Sequence, residues 1–488
     1  MSGWILGQVT HVKPNITHWM WWYPETPRSD GMGCLARMLN SSKTALGLAS
    51  LLGIVALVGS SPPSTIPAGT IQRPTTDSGG EINQVNRIAY VNPNGDLFTV
   101  DPDGGGLAQL TGALQAEGRS EGGIQSQPLR MNEYYAWPTW SADGTKLAAS
   151  RVLVEENGTK ITLQVMDSRT GRSETVYENT QPGLVADGAP HYIYWAPSGD
   201  QLSFLASNKE GLSLFRWDGT SGNQADVIFS GGPLYYQWTK DASGMALHIG
   251  PDLIWANPLA EGDARQFIQS AGNFRVPAIS PDGNSVAYVD QTEAGMVLYI
   301  APTSDLGQTR RILDVGSPAA FMWSPDGTQI AVADQSVLRA PVYDRLMLAP
   351  VDGGPVTTLV SGPSASEVWA FFWSPAGDRL AWVSVNAEVR ELEWVVSPSD
   401  GSDAKKLFSF QPSAEVFIML SFFDQYGYSH SPWSPDGKFL VVAGSKGEAA
   451  RRSNGRTPTG DRIYLLDVEG SAGPRELGAG ALAVWSWN

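Results

Sequence analysis

From about Arg87 onward, short apolar runs alternate with polar positions and are separated by turns rich in Gly, Asp, Ser and Pro. Alternation with a period of two predicts β-strands with one buried face, and no long helical pattern interrupts it. One unit recurs at a spacing of roughly 40 to 60 residues, which is typical of propellers and repeat arrays. The pattern therefore predicts an all-β repeat protein.

Each repeated unit has two halves. The first half is an apolar strand ending in Trp, then a turn, then a second strand. Its copies are WSADGTKLAAS from Trp140, WAPSGDQLSFLAS from Trp195, WTKDASGMALHIG from Trp238, ISPDGNSVAYVD from Ile279, WSPDGTQIAVAD from Trp323, WSPAGDRLAWVS from Trp373 and WSPDGKFLVVAG from Trp433. The second half is an alternating strand, a Gly/Asp-rich turn and a short apolar strand. Its copies begin at Leu97, Leu163, Leu214, Leu253, Leu298, Leu346, Leu392 and Ile463.

The turn in the first half has the chemistry of a tight hairpin. Pro presets the backbone of the first central position, Asp can bond its own backbone, and Gly accepts a positive φ without steric cost. The preceding Trp supplies a large apolar area with which one twisted sheet packs on the next. We therefore expect four antiparallel strands per unit, none of which can bury its face alone.

The two halves do not occur in equal numbers, because eight second halves stand beside seven complete first halves. The segment RIAYVNPNGD, from Arg87, supplies a second strand without a strand that ends in Trp. The last residues, ALAVWSWN from Ala481, match that missing strand. The C-terminal strand is therefore predicted to pair with the N-terminal three and to leave no sheet edge exposed. This predicts eight four-stranded blades, with seven as the second choice.

The repeat resembles the WSPDG repeat of TolB-like β-propellers over residues 87–488. The resemblance implies a β-propeller fold and a function in binding proteins or ligands, since propellers of this kind occur in periplasmic complexes, in the gates of peptidases and in some lyases. The TolB protein itself is known as a six-bladed propeller with a separate N-terminal domain. Eight units and no such domain are found here, so the role of TolB is not carried over.

The first 86 residues lie outside the repeats. Residues 1–43 are expected to be disordered or to precede the true start of the protein. Residues 44–60, an apolar run with Arg37 and Lys43 before it, predict a signal peptide or a membrane-anchor helix. Residues 61–86 form a Pro/Ser/Thr-rich linker. The chain is therefore expected to be exported, periplasmic or extracellular, and held at the membrane by the apolar segment if that segment is not cleaved.

Charge and cysteine content exclude some partners and bonds. The formal net charge is −16, so the body of the protein should repel phosphate backbones, and no nucleic-acid partner is expected. The one cysteine, Cys34, rules out an intrachain disulfide and precedes the apolar run, where no lipid attachment is expected.

The sequence offers little evidence for catalysis. No Gly-x-Ser-x-Gly motif occurs, and no chain follows Asn488 to hold a hydrolase domain, so peptidase activity is not expected. His191 and His430 lie just before two of the Trp anchors, a placement similar to that of the histidine metal ligands of oligogalacturonate lyases. Two histidines without a visible third favour a structural or ligand-contacting role. Neither a metal nor another cofactor is therefore predicted.

A possible binding surface is formed by side chains at the beginning of the inner strands. If the strands are in register, these side chains converge at one mouth of the central channel and form a platform for a peptide or a sugar. The candidates are Trp137, His191, Tyr192, Tyr235, Arg275, Trp369 and His430. The alternative is that the same aromatic residues only pack blades together.

The seventh complete first half is preceded by a long segment, 414–432, and is followed by a basic segment, 445–462; both are interpreted as loops. Long loops on a rigid scaffold often carry binding sites. The first hypothesis is thus a non-enzymatic, exported or membrane-anchored propeller that binds a protein or peptide, or a carbohydrate, at the cell envelope. The alternative is a propeller lyase or hydrolase that acts on polysaccharide through His191, His430 and Arg275.

Overall fold

A computed structural model describes residues 86–112, 132–156, 158–179, 189–208, 211–257, 265–268, 276–336, 343–361, 367–386, 391–446 and 460–487. The predicted signal or anchor segment, Cys34, Arg275 and most of the basic segment 445–462 lie outside these ranges. Within them, no helix has both the length and the apolar character needed to cross a membrane.

The described residues form mainly short antiparallel strands. In chain order these are β1 (Ile88–Val91), β2 (Leu97–Val100), β3 (Ala108–Gln109), β4 (Glu133–Trp140), β5 (Lys146–Glu155), β6 (Gly158–Asp167), β7 (Ser173–Glu178), β8 (His191–Trp195), β9 (Leu202–Asn208), β10 (Gly211–Trp217), β11 (Asp226–Ser230), β12 (Leu234–Trp238), β13 (Met245–Ile249), β14 (Asp252–Ala256), β15 (Arg265–Ile268), β16 (Ala278–Ile279), β17 (Ser285–Thr292), β18 (Gly295–Pro302), β19 (Arg310–Val315), β20 (Ala319–Trp323), β21 (Gln329–Asp334), β22 (Arg345–Pro350), β23 (Thr357–Ser361), β24 (Val368–Trp373), β25 (Arg379–Asn386), β26 (Glu391–Pro398), β27 (Lys405–Pro412), β28 (Phe439–Lys446), β29 (Arg462–Asp467), β30 (Arg475–Ala479) and β31 (Leu482–Trp485). Two short helices, α1 (Ala414–Ser421) and α2 (Phe423–Tyr426), lie between β27 and β28.

The described strands are arranged in seven sheets. Strands β1 to β3 share a four-stranded sheet with β31. Five further four-stranded sheets follow in chain order: β4–β7, β8–β11, β12–β15, β16–β19 and β20–β23. The last sheet contains the seven strands β24 to β30, because β27 also pairs with β28 through Phe410 and Lys446.

The last strand of the chain pairs with the first, as the sequence predicts. Ile88 lies opposite Trp485, and Val91 lies opposite Leu482. Just beyond this ladder the Ser486 amide donates to the Arg87 carbonyl at 2.8 Å. The two ends of the repeat region are thus held in one sheet.

Tryptophan anchors link all but one of the repeated units to the preceding unit. Their rings are buried, and seven indole N–H groups donate to the preceding unit over 2.8–3.2 Å. The donor and acceptor residues are Trp140 to Val484, Trp195 to Thr139, Trp238 to Ser203, Trp323 to Ala278, Trp373 to Met322, Trp433 to Phe372 and Trp485 to Pro432. Together with a hydrogen bond between Ile279 and Gln237, these links lead from unit to unit around the molecule and back to the first sheet. This is the arrangement of a β-propeller.

One repeat lacks the tryptophan. Ile279 takes its place, and the inner strand of that unit, β16, contains only two residues. Here the Gln237 side chain of the preceding sheet accepts a hydrogen bond from the Ile279 amide at 2.7 Å. A polar side chain therefore makes the inter-sheet bond that an indole makes elsewhere.

The last unit departs from the prediction of four strands. Its inner strand is reduced to an isolated bridge between Trp433 and Leu440. The residues before Trp433 form the two helices instead, and Pro432 has no N–H to donate to a ladder. The number of blades stays a prediction.

The two ends of the propeller differ in the connections that they carry. The mouth end is where the inner strands β4, β8, β12, β20 and β24 begin. The turn end is where these strands lead into the tight turns that follow the tryptophans. Gly327 in one such turn has a φ of +72°, which explains the glycine of the motif.

Candidate binding site at the mouth of the channel

The segment between β27 and Trp433, residues 413–432, is named the central segment. It was expected to be a loop, but the structure folds it into α1 and α2. Ser413 caps α1, because its hydroxyl accepts a hydrogen bond from the Val416 amide at 3.1 Å. The buried residues of α1, Val416, Met419 and Leu420, occur at the spacing of one helix face.

The second helix of the central segment packs among the inner strands of several sheets. The Phe423 ring lies 4.8 Å from Phe371 of β24, measured between ring centroids. The Tyr426 ring stacks on Trp137 of β4 at 5.0 Å and meets Tyr192 of β8 at 5.7 Å. The central segment therefore occupies the space between inner strands, which is the channel of the propeller.

Gly427 shows how closely this segment approaches a further sheet. A Cβ atom at this position would lie 2.9 Å from the terminal methyl carbon of Met322 in β20. Any larger side chain at this position would therefore have to displace Met322.

Trp137 and Tyr192, whose rings contact Tyr426, have strained backbone conformations. Trp137 has a φ of +55° and Tyr192 a φ of +49°, which are unusual for large aromatic residues. Each lies at a register irregularity of its inner strand. Tyr192 is buried, and its hydroxyl donates to the Tyr236 carbonyl at 3.2 Å. The irregularities turn both rings towards the central segment.

His430 does not lie open at the mouth, contrary to the prediction. Its side chain is buried, its Nδ1 lies 2.7 Å from the Ser429 hydroxyl, and its ring meets the edges of Trp137 and Tyr426. Burial lowers the pKa of His430 to about 3, and the nearby Pro138 carbonyl opposes this shift only in part. The imidazole is therefore neutral at physiological pH. Tyr192 is likewise covered, because the central segment fills the space in which a ligand was expected.

The remaining predicted residues have different surroundings. His191, the first residue of β8, is partly exposed, and its Nδ1 lies 3.3 Å from the Ala189 carbonyl. Burial lowers the pKa of His191. Tyr235 in β12 is also partly exposed. Trp369 in β24 is partly exposed and lies 5.2 Å from the Phe417 ring of α1. Arg275 lies outside the described residues.

Carboxylates surround the central segment at the mouth end. Burial raises the pKa of Glu367, and the nearby Asp344 raises it further. Burial also raises the pKa of Glu415 in α1, with an added contribution from Asp461. Burial raises the pKa of Asp461 itself. No group of three His, Cys, Asp or Glu residues in the described ranges could hold a metal ion.

Sequence reasoning missed the residues on which the site converges, Tyr426, Phe423 and Phe417. The signal was present, because apolar residues at 416, 419, 420 and 423 follow helical spacing. Trp137, Tyr192 and His430 do come together, but around Tyr426. Trp369 instead meets α1, so the predicted set divides between the channel and its mouth.

No protein-family model matches the chain. Tricorn protease homolog 1 of Streptomyces coelicolor is 30% identical over 160 residues, which are 31% of this chain and 14% of that protein. The chain thus matches only a small part of this relative's length.

Solved structures similar to this chain include TolB from Acinetobacter baumannii, with 17% identity, coverage of 71% of this chain and 84% of that one, and a TM-score of 0.36. Oligogalacturonate lyase from Vibrio parahaemolyticus has 11% identity, coverage of 81% and 85%, and a TM-score of 0.39. Scores of this size carry no functional argument. The assignment of the fold as a β-propeller rests on the sheets and their hydrogen bonds.

Proposed function

We propose that this chain is an exported, eight-bladed β-propeller that binds a protein partner through its mouth end and catalyses no reaction. The central segment carries the proposal: it fills the channel, so a partner must be recognised on the surface that this segment and the surrounding strand ends form. Partly exposed aromatic residues lie on that surface, among them Trp369, Tyr235 and Phe417. Exposed aromatic rings are common anchors in protein interfaces.

The eight-blade count is supported by the hydrogen bonds between sheets. Seven tryptophan links and the Gln237–Ile279 link make eight steps from the first sheet around to itself. The seven-stranded sheet accounts for two of the eight units, because β27 pairs with β28 only through residues 410–412 and 444–446. Export is inferred from the apolar run at residues 44–60 and its basic flank.

The test is affinity purification of the tagged full chain, after crosslinking, from the cell-envelope fraction of its host. Three forms are compared: the wild type, Ile418→Glu on α1 at the mouth end, and Val356→Glu at the turn end. Val356 is 39% exposed, so a charge there should be tolerated. We expect one partner to be recovered with the wild type and the Val356 variant and to be lost with the Ile418 variant. Equal recovery with all three forms, or no partner with the wild type, contradicts the proposal.

Burial of His430 supports binding over the alternative of a polysaccharide lyase or hydrolase. A buried neutral imidazole enclosed by two aromatic rings has no access to a metal or a sugar. We expect purified protein to release no unsaturated or reducing products from oligogalacturonate or related polysaccharides. Product release that disappears with His191→Ala or His430→Ala would establish the alternative.

A further inference from the structure

One side of α1 is apolar but is not fully covered by the propeller. Phe417, Ile418 and Phe422 are partly exposed, and Trp369 of β24 extends the surface beside Phe417. These four residues are named the α1 ridge. They lie at the mouth end, since β27 ends and β24 begins there. An apolar ridge on an otherwise acidic protein is a candidate surface for contact with another molecule.

Carboxylates lie beside the ridge. Glu367 is two residues before Trp369. Glu415 is three residues before Ile418, which places these two side chains on the same side of α1. Asp344 repels Glu367, while Asp461 repels Glu415. Among the described residues, Glu367, Glu415 and Asp461 form no ion pair, whereas Asp334 pairs with Arg345 in the same region.

We propose that the α1 ridge docks a segment of a partner protein in which Lys or Arg alternates with apolar residues. The aliphatic part of such a cationic side chain packs on an aromatic ring, and its charged end reaches a carboxylate. Apolar neighbours in the segment cover Phe417 and Ile418, and the cations pair with Glu367 and Glu415. The proposal rests on the proposed function and specifies the chemistry of the partner.

Electrostatics favours this occupant over a second copy of the chain. Two mouth ends facing each other would bring like charges together, on a chain whose net charge is already −16. Burial, and to a smaller extent the nearby carboxylates, raise the pKa of Glu367 and Glu415, and a nearby positive charge opposes this rise because it stabilises their ionised forms. Docking and charge neutralisation therefore favour each other.

The experiment measures binding of the full chain to a positional-scanning library of nine-residue peptides. We expect selection of Lys or Arg next to aromatic or aliphatic residues. The best peptide should lose about tenfold in affinity, or about 1.4 kcal/mol, with Glu367→Gln/Glu415→Gln and with Trp369→Ala. It should also weaken at high salt. The matched control is Glu293→Gln, an exposed carboxylate in the hairpin between β17 and β18, which should bind like the wild type.

Folding of the variants is checked by their melting temperatures. The two Glu→Gln changes remove charges that burial penalises, so they should not lower stability. Peptides without cationic preference, or affinity unchanged by the variants, overturn the proposal. If a partner is still recovered in the affinity purification, only this docking chemistry fails. Self-association in analytical ultracentrifugation that Trp369→Ala abolishes, without peptide binding, would overturn it in favour of a second copy.

Discussion

At the turn end of the propeller, Asp326 accepts hydrogen bonds from the Ser324 hydroxyl at 2.5 Å and the Thr328 amide at 3.0 Å. The same arrangement recurs around this end at Asp143, Asp241, Asp282 and Asp436. At the mouth end the described connections differ: residues 231–233 and 316–318 are short links between sheets, whereas the segment after β27 enters the channel as two helices. The repeated end builds the scaffold, whereas the variable end has room for recognition.

The largest expected effect comes from removing the strand that joins both ends of the repeat region. Deletion of residues 481–488 removes the ladder between β31 and β1, the Trp485 hydrogen bond to Pro432 and the carbonyl that accepts from Trp140. We expect a loss of at least about 4 kcal/mol in the free energy of unfolding, measured by urea denaturation. Deletion of Asn488 alone is the control. A normal melting temperature for the long deletion would mean that this pairing does not hold the fold.

The second effect tests whether the central segment is part of the core. Tyr426→Ala removes a buried ring that contacts Trp137, Tyr192 and His430. We expect a cost of about 3 to 5 kcal/mol in unfolding free energy, typical of large aromatic truncations. Tyr426→Phe keeps the ring and should cost only about 1 kcal/mol. If Tyr426→Ala unfolds at the same urea concentration as the wild type, the segment is only loosely held in the channel.

The third effect is a pH dependence of stability that arises from His430. Its pKa is about 3 in the folded protein and about 6.5 when unfolded, so the unfolded chain binds the additional proton between these values. Stability should therefore fall as the pH drops from about 6.5 towards 3, by up to about 1.4 kcal/mol per pH unit. The unfolding free energy of the His430→Asn variant should depend less steeply on pH in this range. His191 contributes to the pH dependence of both the variant and the wild type. Parallel stability curves for the two proteins would contradict the buried, neutral imidazole.

The smallest effect belongs to the turn end. Asp326→Ala removes one carboxylate from a motif that recurs around the ring, and we expect a loss of about 1 kcal/mol in stability. The urea midpoint should fall with an unchanged m-value, and partner binding should remain as in the wild type. Asp326→Asn, which keeps one acceptor oxygen, should cost less. Loss of partner binding with either variant would show that the turn end takes part in recognition.

The scaffold could be predicted from the sequence because its information is local and repeated. Except at Trp433, each tryptophan that precedes a tight turn ends a strand and begins a hairpin. The unequal number of half-repeats indicated that Leu482–Trp485 would pair with β1. The absence of a tryptophan at Ile279 was visible in the sequence. The hydrogen bond from the Ile279 amide to the Gln237 side chain, which links the units there, was not.

The site was harder to predict because its geometry depends on contacts between distant parts of the chain. Helical spacing in residues 413–426 can suggest a helix, but no local pattern says that Tyr426 will stack on Trp137. That contact follows from the space between inner strands, which exists only once the sheets are arranged. For the same reason His430 was predicted at the mouth, although the structure buries it.

The most direct test of the difference between the two ends is site-specific photocrosslinking in the native host. The photoreactive residue benzoylphenylalanine replaces Ile418 at the mouth end in one form of the protein and Val356 at the turn end in another. We expect a covalent adduct with a partner protein from position 418 and none from position 356. Adducts only from position 356, or equal adducts from both, would contradict recognition at the mouth end.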